Sequence, residues 1–318
     1  MALPRLVLTG ASGFIGRHLL DALKDDYEII GVARRSQIRC GAPFHPNIKW
    51  HQVDIGDPAS LETVFTEIQA GGSVNIVIHL AAHYDFTGED HPEYFRTNVD
   101  GLRNVLENCR RLDVGRFIFS SSVAACAFPR AGEALTEKSP PDGDHIYAKT
   151  KAIGEDMLVE YSDAFPSVIV RFAALFSDWC EYPPLYMFLR TWLSRAWNRR
   201  ILGGRGESAI PYLHVTDAIG FLLRILTRLD RLDDGEILLA SPDGAVSHEQ
   251  LYVEATQYYF EDAQPPILMP RPLVKPGIHA RSFMGRFMPE KPFERPWMAN
   301  YVDKELTVDA SRTRERLE

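Results

Sequence analysis

Tyr147 and Lys151, in the run Tyr147-Ala148-Lys149-Thr150-Lys151, are the residues whose types and spacing best suit proton transfer. Four apart on a helix, they share one face. Of the chain's twelve tyrosines, this is the one followed four residues later by a lysine. A phenol with a reference pKa of about 10 is a weak base at neutral pH, and a neighbouring ammonium favours its phenolate. Ser122 stands 25 residues upstream, where Ser120-Ser121-Ser122 closes an apolar run, and could hydrogen-bond the same substrate oxygen. The chemistry these three suit is acid–base work on an alcohol or carbonyl during hydride exchange.

A second stretch, Thr9-Gly10-Ala11-Ser12-Gly13-Phe14-Ile15-Gly16, suits a phosphate. Leu6-Val7-Leu8 before it reads as a strand, and apolar residues recur at helical spacing after it. Glycines at 10, 13 and 16 permit a tight turn, close backbone approach to a pyrophosphate, and tight helix-on-strand packing.

The elements that must position these groups alternate along the chain. Residues 27–33 form a second strand ending in Arg34 and Arg35, with no carboxylate there to take a ribose 2′-hydroxyl, so NADP is expected over NAD, with NAD possible. Residues 48–53 are a third strand, and Asp57-Pro58 caps the helix that follows Asp54-Ile55. Asn75-Ile76-Val77-Ile78-His79-Leu80 is a continuous apolar strand running into Ala81-Ala82, whose small side chains leave room for a cofactor. A helix from about 92 to 111 carries Asn98, and strands at 116–119 and 166–172 follow. Strands alternating with helices at this spacing predict an α/β fold with a doubly wound parallel sheet.

Past residue 172 the run Phe176 to Tyr186 is aromatic and broken by prolines, at the carboxyl end of a strand where substrates bind in open sheets. The expected organisation is therefore a dinucleotide-binding domain over 1–172, with 210–230 returning to it, and a smaller, mostly substrate-binding domain over 173–318. His214 is read as a packed or capping residue. Eight of the 21 prolines lie between 265 and 296, predicting a mostly irregular stretch with at most a short helix around 277–288. Such a segment is expected to be a lid or a packed piece of the small domain, with a partner surface or a membrane-touching patch as the other readings.

Composition narrows the function classes. The formal net charge of -8 leaves no basic excess for general nucleic-acid binding. Cys40, Cys109, Cys126 and Cys180 are far apart with no metal-ligand spacing, so reduced thiols and no metal are expected. With no charged-then-apolar leader and no apolar run near the roughly twenty residues of a membrane span, a cytoplasmic location is expected.

In their order, Thr9 to Gly16, Asp54, His79-Leu80-Ala81-Ala82, Asn98, Ser122, Tyr147 and Lys151 resemble the extended short-chain dehydrogenase/reductase family, also called the NAD-dependent epimerase/dehydratase family. The resemblance covers about residues 5 to 172. It implies a Rossmann domain whose cofactor is held by Gly10, Ser12, Gly13, Phe14, Ile15, Gly16, Asp54, Ile55, Leu80, Ala81, Ala82 and Asn98, joined by Arg34, Arg35, Tyr147 and Lys151. It also implies Ser122, Tyr147 and Lys151 as catalytic residues, and a homodimer through the helices holding Asn98 and Tyr147.

Some features of the family's nucleotide-sugar members are missing. Ala174 stands where they carry an Asn for the diphosphate, Ile210-Pro211 where they carry an Arg, and Cys126-Ala127 where they carry Tyr-Gly. A diphosphate without a cationic partner is costly to desolvate. The expectation is an NADP-linked oxidoreductase interconverting a secondary alcohol and a ketone on a small, fairly apolar molecule. A nucleotide-sugar epimerase or dehydratase with recycled NAD is the second reading, and a non-catalytic dinucleotide sensor the third.

Overall fold

The computed structural model describes residues 2–284 and 293–318. Its centre is a parallel sheet that begins β1 (Arg5–Thr9), β2 (Glu28–Ala33), β3 (Ile48–Gln52), β4 (Val74–His79), β5 (Val114–Ser122) and β6 (Ser167–Phe172). Four short strands follow, β7 (Ala174–Phe176), β8 (Ile201–Gly203), β9 (Ala209–Ile210) and β10 (Tyr212–His214). β11 (Glu236–Ala240) then rejoins the large sheet, whose order is β11-β6-β5-β4-β1-β2-β3. This seventh strand, Glu236-Ile237-Leu238-Leu239-Ala240, is an apolar run that the sequence reading passed over. The sheet order reverses between β1 and β4, and that gap is where an open α/β sheet receives its ligand.

Alternate side chains of each strand enter two different cores. Leu6, Leu8 and Ile29 pack beneath α1 (Phe14–Leu23) on one face. Val7, Ile30 and Val32 pack on the other beneath three later helices. After α2 (Gln37–Cys40), these are α3 (Pro58–Ala70), α5 (Gly101–Cys109) and α6 (Ile146–Glu160), with the single turn α4 (Glu93–Phe95) preceding α5. Asp57 accepts from the Ser60 N–H at 3.3 Å with Pro58 opening α3, as its sequence predicts. The predicted helix over 92–111 is interrupted by one π turn, Arg96–Asp100, which contains Asn98. Such turns commonly mark functional positions because they re-aim one side chain.

The remaining helices are α7 (Pro183–Trp192), α8 (Val215–Thr227), α9 (His248–Phe260), α10 (Arg271–Met284) and α11 (Ser311–Leu317). α8 lays Val215, Ala218 and Leu222 against the same core as α1, and β10 pairs with β7. α10 corrects the reading of a short helix at 277–288: it starts at Arg271 and runs through Pro276. Residues 285–288 of that reading lie outside the described residues. No helix among the described residues is long and apolar enough to cross a membrane.

Two glycines with nearly the same backbone separate strain from contact. Gly10 (φ +70°) and Gly41 (φ +66°) are both left-handed, but a Cβ on Gly10 would lie 2.6 Å from the Ala81 nitrogen, whereas one on Gly41 would meet nothing within 4 Å. Gly41→Ala is expected to cost about 1–2 kcal/mol from backbone strain alone. Gly10→Ala carries that cost plus displacement of the backbone after β4, roughly 1–3 kcal/mol more. Urea unfolding of both variants checks this; equal losses would show that the close approach at Gly10 is relaxed in solution.

Candidate active site

The turn between β1 and α1 is built from backbone. The Gly13 N–H donates to the Gly10 carbonyl at 2.8 Å, and a Cβ on Gly16 would lie 2.5 Å from that same carbonyl. Gly13 caps α1 with no side-chain bond, and the first turn carries no acidic residue. The orphan N–H groups at Phe14, Ile15 and Gly16 therefore keep their positive end for an anion. That is the observation that fits a dinucleotide pyrophosphate here. Ile15 lines the neighbouring cleft, and Ser12 is nearly buried.

At the end of β2 the two arginines diverge. Arg35 donates to the Ser12 carbonyl and, at 3.4 Å, to its hydroxyl, so it braces the loop. Arg34 pairs with Glu93 at 3.0 Å; the sequence reading, which placed no carboxylate here, missed this residue arriving from α4. Arg96 links Glu93 at 3.1 Å to Asp54 at 2.8 Å. Partial burial would raise the Asp54 carboxyl, but bonds from Arg96 and the Gly56 N–H outweigh it and hold it below its ordinary value. The neighbouring Ile55 is buried and its carbonyl accepts from Asn104 at 2.9 Å.

Across the gap, Leu80 ties to β1 through its N–H on the Thr9 carbonyl at 3.1 Å. Ala81 and Ala82 follow, and Asn98 latches the next residue from both sides. Its Oδ1 accepts from the His83 N–H at 2.6 Å, while its Nδ2 donates to the His83 carbonyl and the Thr150 hydroxyl, each at 3.0 Å. Asn98 thus fastens the segment after β4 to α6, the helix of Tyr147 and Lys151.

Ser122, Tyr147 and Lys151 meet at the mouth of this gap. His145 caps α6 by accepting from the Ala148 N–H at 3.2 Å, and its ring lies parallel to that of Tyr147. Lys151 is buried, with its ammonium on the Ser120 carbonyl at 2.6 Å and 5.7 Å from the Tyr147 ring centroid. Burial lowers the Lys151 pKa to about 8, against the opposing pull of the Glu155 carboxylate. Burial and the neighbouring tyrosines push the Tyr147 phenol well up, and a hydrogen bond with Ser122 works the other way. The Ser122 hydroxyl accepts from the Ala124 N–H at 3.1 Å and reaches the Phe172 carbonyl only at 3.4 Å, so its proton is weakly held.

Glu155 belongs to this arrangement and the sequence reading missed it, although it lies four residues beyond Lys151 on the same helix. Its oxygens accept from Arg171 at 2.9 and 2.7 Å and from Ser121 at 2.5 Å, all in the interior. His214, read as capping, accepts from the Thr216 N–H at 3.3 Å at the start of α8.

The cleft above these groups encloses about 1260 Å³. The Tyr84 ring lies tilted against that of Tyr147, centroids 4.3 Å apart, Phe86 lies 4.5 Å from Tyr84, and Tyr182 and Trp297 extend the aromatic wall. Ala174, Ile210 and Pro211 line it where the family's diphosphate partners were looked for.

A model of the NAD dependent epimerase/dehydratase family matches residues 6–240. The chain belongs to that family. It is an enzyme, and its relatives divide between epimerases and dehydrogenases. A uronate dehydrogenase of Pseudomonas putida is 28% identical over 194 residues, 60% of this chain and 66% of that protein. A UDP-glucose 4-epimerase of Caenorhabditis elegans is 29% identical, over 52% of this chain and 53% of that one. The decarboxylating sterol-4-alpha-carboxylate 3-dehydrogenase of Saccharomyces cerevisiae is 30% identical, over 54% and 51%. The chain thus spans about half to two thirds of the length of these curated relatives. Among solved structures, UDP-glucuronic acid 4-epimerase from Bacillus cereus with UDP-glucuronic acid and NAD superposes with a TM-score of 0.72 at 18% identity, covering 98% of this chain and 92% of that one. At that identity the likeness is one of fold.

The buried ammonium has a consequence for stability in this family member. A folded-state pKa of about 8 lies below the unfolded value of about 10.4, so the unfolded chain binds the extra proton more tightly. The resulting penalty is complete below pH 8 and fades as pH rises towards 10. Lys151→Met is therefore expected to stabilise the cofactor-free protein by about 1–3 kcal/mol at pH 7, with a gain that shrinks towards pH 10. Urea midpoints at the two pH values test this, and a variant that is less stable at pH 7 would contradict it.

Proposed function

We propose that this enzyme is an NAD(P)-dependent dehydrogenase that interconverts a secondary alcohol and a ketone on a fairly apolar or aromatic substrate. The observation that carries the reading is the cleft wall. Where a nucleotide diphosphate would need cations, Ala174, Ile210 and Pro211 face the space, and Tyr84, Phe86, Tyr182 and Trp297 surround it. Residues 1–172 with 210–230 would form the cofactor half and 173–318 most of the substrate half, in a cytoplasmic homodimer joined through the helical segments holding Asn98 and Tyr147.

A nicotinamide dinucleotide, when bound along Gly10 to Gly16, supplies hydride exchange at the substrate's carbinol carbon. Tyr147 then takes the proton from the alcohol oxygen, or gives it back to the carbonyl oxygen. Its phenol is far too weak an acid in isolation, so the Lys151 ammonium must lower the cost of the phenolate that takes this proton. The Ser122 hydroxyl exchanges its long bond to the Phe172 carbonyl for one to the same substrate oxygen. The wall of Tyr84 excludes water from that oxygen, and its ring, tilted against that of Tyr147, holds the phenol in place.

We propose NADP as the preferred dinucleotide. The Arg34–Glu93 pair occupies the guanidinium, but Arg34 is half exposed and Glu93 keeps Arg96 and Thr97 as partners. Releasing Arg34 to a 2′-phosphate therefore costs about 0–1 kcal/mol, less than a charge-assisted bond returns at about 1.5–3 kcal/mol.

The second reading, a nucleotide-sugar epimerase that recycles tightly held NAD, is supported by the full-length likeness in fold to the Bacillus cereus enzyme. Denaturing freshly purified protein and weighing any released dinucleotide separates the two. An empty protein that binds NADPH more tightly than NADH is expected, with the preference falling roughly ten- to a hundred-fold in Arg34→Ala; stoichiometric NAD would sink the dehydrogenase reading. Tyr147→Phe is expected to lower turnover by about 10²–10⁴ while dinucleotide affinity holds. Unchanged turnover in that variant would remove Tyr147 from the chemistry.

A further inference from the structure

We infer that the outer face of the C-terminal part, formed by residues 195–205 and 264–284, docks on an anionic lipid bilayer. These two segments are separate in sequence and joined in space. β8 pairs in parallel with β13 (Ile267–Met269), Ile201 opposite Ile267, and Arg200 donates to the Pro265 carbonyl at 2.8 Å. α10 follows directly, and of its fourteen residues only Val274 is buried. That is not the burial of a packed helix or of a closed lid.

The exposed side chains are of two kinds. Trp197 is 78% exposed, Phe283 59%, Leu273 57%, Ile267 55% and Met284 47%. Along α10, Leu273, Pro276, Ala280 and Met284 fall on one stripe at helical spacing with Phe283 at its edge, while Arg271, Lys275 and His279 fall on another. Across both segments there are seven arginines and lysines and no aspartate or glutamate, in a protein whose net charge is -8. Arg195, Arg199, Arg200, Arg271 and Lys275 form no carboxylate ion pair among the described residues; Arg199 instead binds Gln264 and lies 5.2 Å over the Phe260 ring. A hollow of about 320 Å³ opens between the two segments, lined by Gly204, Arg205, Pro270, Arg271 and Asp303. Asp303 there accepts from the Arg205 N–H at 2.8 Å, and Arg205 also pairs with Glu207.

Aromatic and aliphatic side chains beside uncompensated cations are what an interfacial helix presents to a headgroup layer. The charge selects the occupant. An apolar partner alone leaves the cations unmatched, whereas an anionic leaflet meets both, with about 1 kcal/mol for each basic residue near its surface. Docking there would hold an apolar substrate's source next to the aromatic cleft, but the inference stands on this face and not on the proposed reaction.

The test is sedimentation of the full chain with vesicles of phosphatidylcholine containing phosphatidylglycerol, and with phosphatidylcholine alone. Binding is expected only to the mixed vesicles, and raised salt is expected to release it. Arg271→Glu with Lys275→Glu is expected to weaken it roughly thirty-fold or more, and Leu273→Ser with Phe283→Ser to weaken it at least ten-fold, with dinucleotide binding retained in all variants as the folding control. No sedimentation with either vesicle, equal sedimentation with both, or a dimer that the serine variants dissociate would each overturn the inference, the last by assigning the face to a second copy.

Discussion

The arrangement depends on keeping one ammonium charged inside the protein. Lys151 sits where burial alone would strip its proton, and what opposes that is a short list of fixed groups. The Ser120 carbonyl takes one of its protons, the Phe119 and Tyr147 rings lie within reach of its charge, and the Glu155 carboxylate stands one turn further along α6. Glu155 cannot be buried as a bare anion either. Two bonds from Arg171 reach its oxygens, and Arg171 in turn donates its remaining nitrogen to the Ser139 carbonyl. The chain of charges Lys151, Glu155, Arg171 thus runs from the cleft into the interior between α6 and β6. A buried pair of this kind is weak evidence of net stability, since hydrophobic replacements often match it, but removing one partner leaves the other uncompensated. Its value here is positional, because it locks the register of α6 against the sheet and so fixes where Tyr147 and Lys151 stand.

The second constraint is backbone proximity. The loop after β1 can approach an anion only if nothing stands between its N–H groups and the ligand. Gly10 must therefore run against the end of β4 with no Cβ, while Gly16 lets α1 sit on its own loop. The same closeness explains why the segment after β4 begins Leu80-Ala81-Ala82 and why Asn98 pins it. A π turn costs regular helix bonds, and this one aims an amide at two backbone groups of His83 and a hydroxyl of α6 at once. The loop, the strap and the tyrosine helix are in this way one rigid unit.

Much of that unit is legible in the sequence because it rests on local spacing. The strand–Gly-rich turn–helix pattern, the Asp57-Pro58 cap and the Tyr147–Lys151 interval each report a geometry within a few residues of themselves. What was not legible depends on contacts between distant parts. Glu93 reaches Arg34 across 59 positions, and no feature of the β2 end announces it. Arg171 lies in an apolar strand and reads as an exception until Glu155 is placed opposite. β11 was passed over because its apolar run is short and sits after irregular chain, where only the free edge of β6 gives it a partner. Over 271–276 proline content suggested irregular chain before a short helix, yet the helix already begins at Arg271 because Pro272 falls in its first turn and Pro276 removes a single bond.

The substrate side follows from what the cleft lacks as much as from what it holds. An oxygen reaching Tyr147 shares the cleft with Tyr84 and Phe86, and Ile210 and Pro211 belong to the same lining. Of the cations lining the cleft, Lys304 is engaged with the faces of Phe128 and Tyr301, while Tyr301 donates to Asp144 at 2.5 Å. A dianionic diphosphate entering here would have to draw Lys304 off two rings and sit near Asp144 and Glu305, at a cost in desolvation. A neutral, ring-bearing alcohol meets none of those costs and gains aromatic contact along its length. The fold is shared with enzymes that handle nucleotide sugars, so what distinguishes one substrate from another has to come from wall positions such as these rather than from the scaffold.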